Sequence, residues 1–215
     1  VRGGKLAGWL TLVGSLAALN YASRFSSGKP PADSLYRYDT ALSGVIFYAL
    51  TLGIVLLIAR GMTRSELGLR RPASWPRALG FTLGVLVALL VAESVLESLL
   101  HGAREQGLEP AHWNSAKAVQ FALNAAVVVI AAPLVEELTF RGVGFRLLWP
   151  FGTVVAVLGT SVAFAADHGL VEGFPALFVF GVAVALVRLR TGSLYPGMLL
   201  HASFNAFALV VAVAR

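Results

Sequence analysis

Seven apolar runs alternate with polar stretches along the chain, at residues 6–22, 41–59, 78–100, 118–135, 154–166, 174–187 and 194–214. A helix rises 1.5 Å per residue, so about 20 mostly apolar residues cross the hydrocarbon core of a bilayer. The longer runs meet that length or approach it. The runs at 154–166 and 174–187 are short, and predict helices that tilt into flanking polar sequence or re-enter. The pattern predicts an all-α, polytopic transmembrane bundle of about six to eight helices, built as a single domain over residues 1–215.

The polar stretches differ in charge. Residues 23–40 hold Gly28, Pro30, Pro31 and two aspartates, the residue types of a loop. Residues 60–77 carry Arg60, Arg64, Arg70, Arg71 and Arg77 against Glu66 alone, whereas residues 101–117 are nearly neutral. Lysine and arginine concentrate in cytoplasmic loops. The 60–77 loop is therefore expected in the cytoplasm, together with Arg2 and Lys5 and, in a seven-span count, Arg188 and Arg190. After the first run come Ser23, Arg24 and Phe25, which form no small-x-small cleavage site, so that run reads as a retained helix. No internal repeat stands out.

Composition sharpens this picture. Hydrophobic residues make up 57% of the chain and charged residues 13%, against about 25% charged in a soluble domain. Too few polar side chains remain to cover a water-facing globule, so lipid must solvate much of the surface. The formal charge of +6 does not indicate nucleic-acid binding, because the basic residues sit between apolar runs rather than along one exposed face. There is no cysteine, which excludes disulfides and thiolate metal sites.

Ionisable groups inside apolar runs are costly and need partners or a wet cavity. Four clusters qualify. Glu136 and Glu137 follow a long apolar run, with Arg141 four residues after Glu137. On a helix Glu137 and Arg141 stack on one face, while Glu136 points about 100° away. The pair can therefore divide labour, Glu137 held by Arg141 and Glu136 facing a cavity. An apolar site with a second carboxylate nearby favours proton uptake, as a general base near neutrality requires. The alternative is a structural ion pair ending the helix. Pro133 predicts a kink one turn earlier.

Phe164 and His168 share a helix face by their spacing, and Asp167 beside them reads as a solvated helix end. Alone, His168 reads as an interfacial histidine. His201 and Asn205 again share one face, inside the last run, where an interhelical hydrogen bond is the plainer reading. Glu93, Glu97 and His101 form a stripe of metal-ligating residue types, more simply read as a solvated helix end.

No His-Glu-x-x-His, Gly-x-Ser-x-Gly or Gly-x-Gly-Asp occurs, so zincin, serine-hydrolase and intramembrane aspartyl-protease signatures are missing. The ordered set Glu136-Glu137-x-x-x-Arg141, Phe164-x-x-x-His168 and His201-x-x-x-Asn205, with Leu194-Tyr195-Pro196-Gly197 before the last motif, resembles the CPBP family. That family groups type II CAAX prenyl endopeptidases with bacterial processing and bacteriocin-immunity relatives. The resemblance covers roughly residues 133–207.

It implies an intramembrane endopeptidase in which Glu136, with His168, activates the attacking water. Glu137, Arg141 and Phe164 would support the site, and His201 and Asn205 would form the oxyanion hole. Glu136, His168 and His201 are also residue types that ligate zinc. A metal-free, glutamate-type site is the preferred reading, because asparagine ligates zinc poorly and donates well to an oxyanion. For Glu136 and His168 to meet, the fourth helix must run on through Arg141 to about Leu148.

The implied partners are the lipid bilayer and a substrate with a membrane-associated terminus: a prenylated C-terminal motif, a peptide leader, or a sorting signal of the kind handled by myxosortase-like members. The Ala, Val, Leu, Gly and Arg bias points to a bacterial, GC-rich genome, hence to a bacterial inner membrane and away from a dedicated prenyl-protein substrate. A non-enzymatic immunity or scaffold protein is the main alternative, and a small transporter with Glu93, Glu97 and Glu136 as proton relays is a further one.

Overall fold

In lipid a backbone N–H or C=O has no water to bond, so each apolar run must satisfy its own polar groups as a helix. The computed structural model describes residues 2–27, 31, 33–100 and 112–214. Among them all seven runs are helical and no strand occurs. The helices are α1 (Arg2–Ser27), α2 (Tyr38–Ala59), α3 (Trp75–Leu100), α4 (Ser115–Phe151), α5 (Thr153–Asp167), α6 (Phe174–Thr191) and α7 (Tyr195–Ala214). All but α5 are long and apolar enough to cross a membrane. The chain is a multi-pass integral membrane protein.

Two expectations about length meet their outcome here. Helix α5 has 15 residues, about 22 Å of rise, and is the short helix expected in that place. Helix α4 runs on past Arg141 and Leu148 to Phe151, 37 residues in all, which is the predicted continuation. It is not uniform. Two π-helical stretches, Val127–Ala131 and Leu138–Gly144, bracket a short α-helical segment, Ala132–Glu137. Such stretches widen a helix by one residue and recur at functional sites.

Hydrogen bonds between the connections sort them to two ends of the bundle. At one end Lys5 donates to the carbonyl of Arg60, Arg70 Nε donates to Gly192 O at 3.0 Å, and Leu194 N donates to Gly68 O at 2.8 Å. These bonds gather the start of α1, the α2–α3 loop and the α6–α7 turn. At the other end Asn124 Nδ2 donates to the carbonyls of Leu35 and Arg37, and Tyr21 Oη donates to Leu170 O at 3.0 Å. Those bonds gather the end of α1, the start of α2, the early part of α4 and the α5–α6 turn.

Large apolar side chains such as Leu19, Leu42, Leu50, Val91 and Val210 are exposed over the outer surface. A water-soluble protein would not carry so much contiguous apolar surface, whereas lipid accepts it. The interior is packed from Trp9, Val55, Phe140, Val143, Phe164 and Val184. Close approach of α1 to α4 depends on Gly144, where a Cβ would lie 2.3 Å from Trp9 Cζ2. The indole then donates Nε1–H to Thr139 O at 2.9 Å. That bond caps a carbonyl within the second π-helical stretch.

Glu66, the one acid of the arginine-rich loop, organises it. Its carboxylate accepts from Thr63 N at 2.8 Å and from Arg146 Nη2 at 2.6 Å, tying the loop to the end of α4. The Thr63 backbone bond, then the Arg146 and Thr63 side-chain bonds, hold this carboxyl down from an ordinary 4.5 to about 2. Because the folded value is the depressed one, the loop's anchoring is complete above pH 4.5 and fades as pH falls toward 2. Melts of the purified protein between pH 5 and 2 should lose stability progressively through that window, and Glu66→Gln should flatten the loss. His101, part of the stripe predicted with Glu93 and Glu97, lies outside the described residues.

Candidate active site

The short α-helical segment of α4 presents Glu136 and Glu137 between the two π-helical stretches. Their roles separate as the spacing predicts. Glu137 and Arg141 are both 0% exposed and pair at 3.2 Å, one turn apart. A buried ion pair needs further bonds to offset desolvation, and these are present. Arg141 Nη2 donates to Gly181 O at 2.9 Å, and its guanidinium lies 4.5 Å from the Phe164 ring centroid. Gly181 permits this approach, since a Cβ there would meet Ser161 at 3.0 Å and Arg141 Nη2 at 3.3 Å. Glu137 also accepts from His201 Nδ1 at 3.0 Å. A carboxylate only accepts, so Nδ1 carries the hydrogen and Nε2 is turned the other way.

That Nε2 faces Glu136, 3.8 Å from Oε2. This is too long for a direct hydrogen bond. Glu136 is the more accessible carboxylate, its side chain 12% exposed. Its other oxygen, Oε1, accepts from Tyr48 Oη at 2.7 Å. Glu136 is thus pinned from α2, a contact the sequence reading did not anticipate. A tyrosine in the middle of an apolar run was the available signal, since a buried phenol seeks a partner.

The second motif forms the adjoining wall. Phe164 packs on His168 at 4.7 Å, on His201 at 5.8 Å and on Phe180 at 5.6 Å between ring centroids. His168 caps α5, with Nδ1 2.8 Å from Phe164 O. A carbonyl is an acceptor, so Nδ1 holds the hydrogen and the neutral ring keeps a lone pair on Nε2. No direct hydrogen bond joins Glu136 and His168. They belong to one assembly through His201 and Phe164.

Asp167 corrects an expectation. It is buried rather than a solvated helix end, because the chain turns back at this point and Asn20 of α1 donates to its backbone carbonyl. Its Oδ1 has no hydrogen-bond partner.

Asn205 is committed in a way that spacing could not show. Its Nδ2 donates to Val128 O at 2.8 Å. In the first π-helical stretch Ala132 N–H bonds Val127 O, so Val128 O loses its α-helical partner. Its π-helical partner would be residue 133, a proline with no N–H. The expected kink is therefore a register change that frees one carbonyl, and Asn205 fills it. One amide hydrogen of Asn205 remains for other use.

Glu136, Glu137, Arg141, Phe164, His168 and His201 are thus linked by contacts between α4, α5 and α7, with Tyr48 added from α2, while Asn205, one turn after His201, bonds α4 at Val128, eight residues before Glu136. Among the described residues no three His, Asp or Glu side chains are gathered as metal ligands.

A polytopic helical bundle holding paired glutamates, histidines and an arginine in its interior has the makings of an intramembrane hydrolase. Residues 118–207 match the family model described as type II CAAX prenyl endopeptidase Rce1-like. The family implies a protease. No curated protein and no solved structure matches the chain. Tyr48 and Asn20 lie outside the matched segment.

Proposed function

We propose that the chain is a metal-free, glutamate-type intramembrane endopeptidase that cuts near the terminus of a membrane-associated or lipid-anchored protein. The observation that carries this reading is the placement of Glu136. It is the one carboxylate of the pair left partly accessible, held at Oε1 by Tyr48 and opposed at Oε2 by a histidine across a 3.8 Å gap.

A water beside Oε2 gives its proton to Glu136 as its oxygen bonds to the scissile carbonyl carbon. The oxyanion so formed needs donors. His201, held at Nδ1 by Glu137, supplies one from Nε2 once that nitrogen carries a proton. The second amide hydrogen of Asn205 supplies another, while the first keeps that side chain oriented on Val128 O. The carbon–nitrogen bond then breaks, and the leaving amine takes the proton from Glu136. His168, with a free lone pair on Nε2, assists in moving the proton. Glu137 and Arg141 keep His201 aimed.

The test is direct. Purified protein reconstituted in liposomes with membrane-anchored peptides should release their termini at an unchanged rate when chelators strip divalent metals. Loss of cleavage on chelation, restored by added zinc, would overturn the metal-free reading. Absence of cleavage across peptides with lipid-anchored and helical termini would overturn the endopeptidase reading. The Ala, Val, Leu, Gly and Arg bias supports a bacterial inner membrane as its setting.

A further inference from the structure

The two ends of the bundle are chemically unlike. The end that gathers the α2–α3 loop, the end of α4 and the α6–α7 turn carries Arg60, Arg64, Arg70, Arg71, Arg188 and Arg190, with Glu66 as its acid. At the opposite end the described charges are mixed: Arg37 pairs with Asp39 at 2.6 Å and Lys117 lies 3.7 Å from Asp33. An arginine excess of this kind marks the cytoplasmic side.

Burial along α4 is just as uneven. Every residue from 137 to 145 is buried, so the stretch between the site and the arginine-rich end is closed. Trp9, Phe140, Val143, Val187 and Leu194 fill it, all 0–1% exposed. The polar groups buried on that side include the Glu137–Arg141 pair and Thr139, whose hydroxyl donates to Val135 O at 2.7 Å. On the other side of Glu136, burial breaks down. Leu134 and Ile130 are exposed, and Asn205 and His168 are only half-buried.

Helix α5 explains why that side is accessible. It starts at the arginine-rich end and ends after 15 residues with Asp167 and His168, at the depth of Asn20 and Tyr21 in α1. Six more residues of α1 extend beyond Tyr21, so the α5–α6 turn stops short of the surface that α1 reaches. An apolar groove of about 820 Å³ between α2 and α4 leads the same way. It runs from Tyr38 and Asp39 at the start of α2 to Leu134, two residues before Glu136.

From these observations we propose that the site is entered from the membrane face opposite the arginine-rich loop, the extracytoplasmic face. Its substrate is then a protein that presents an apolar segment, with its scissile bond, from outside the cytoplasm. This rests on the endopeptidase reading for the word substrate, but the entry side is a property of the fold alone.

The chain has no cysteine, so single cysteines report without background. In intact cells a membrane-impermeant maleimide should label Glu172→Cys, in the α5–α6 turn, and His168→Cys, at the site. Arg64→Cys should react only after the membrane is permeabilised. Labelling of His168→Cys only together with Arg64→Cys would overturn the proposal, as would labelling of Arg64→Cys alone in intact cells. A His168→Cys that stays unreactive on both sides, with Glu172→Cys labelled, would overturn the claimed route to the site. Labelling does not need a working protease, so failure of the catalytic reading would show separately, as uncut peptide with the labelling pattern intact.

Discussion

Glu136→Gln is expected to lower the rate of peptide cleavage by about 100- to 10,000-fold, the range that loss of a general base produces. The substitution keeps the size and shape of the side chain, and an amide oxygen can still accept from Tyr48 Oη. The variant should therefore melt close to the parent while losing turnover. Tyr48→Phe makes the graded companion. It removes the 2.7 Å bond to Oε1 and leaves the carboxylate in place, so the expected loss is about 10-fold, in keeping with a hydrogen bond to a charged group. A Glu136→Gln protein that cleaves as fast as the parent would remove Glu136 from the chemistry.

Arg141→Leu is expected to produce the largest loss of stability, about 3–5 kcal/mol, the cost of leaving one member of a buried ion pair uncompensated. Both partners are fully buried, and Arg141 also bonds Gly181 O and stacks on Phe164, so α4, α5 and α6 all lose a contact. The double variant Arg141→Leu/Glu137→Gln should recover most of that stability, since it removes both charges together. It should not recover activity, because His201 Nδ1 then faces an amide instead of a carboxylate. Thermal unfolding in detergent and cleavage in liposomes, run on the same preparations, separate the two roles. Equal melting of the single and double variants would show that the pair does not hold the bundle together.

The helices were legible because lipid imposes a simple length rule on apolar sequence. Even the run of α4 past Arg141 followed from one requirement, that Glu136 and His168 reach the same depth. The charge pairing of Glu137 with Arg141 was legible for a local reason: four residues bring two side chains onto one helix face. Asp167 was misread because its neighbours in sequence, a histidine and a glycine, look like a wet helix end. Its backbone carbonyl is taken by Asn20, 147 positions earlier. Tyr48 was overlooked for the same reason, as its partner lies 88 residues away.

Period, hydropathy and the order of three motifs were enough to determine an all-helical membrane protein and the residue types at its polar centre. These are properties of single segments, and a segment carries them wherever it goes. Which oxygen of Glu136 is held, which carbonyl Asn205 occupies, and which end of the bundle is sealed were decided only when α1, α2 and α7 packed against α4. Those are relations between segments, set by side-chain volume and by the need to pair every buried polar group, and linear spacing holds no record of them.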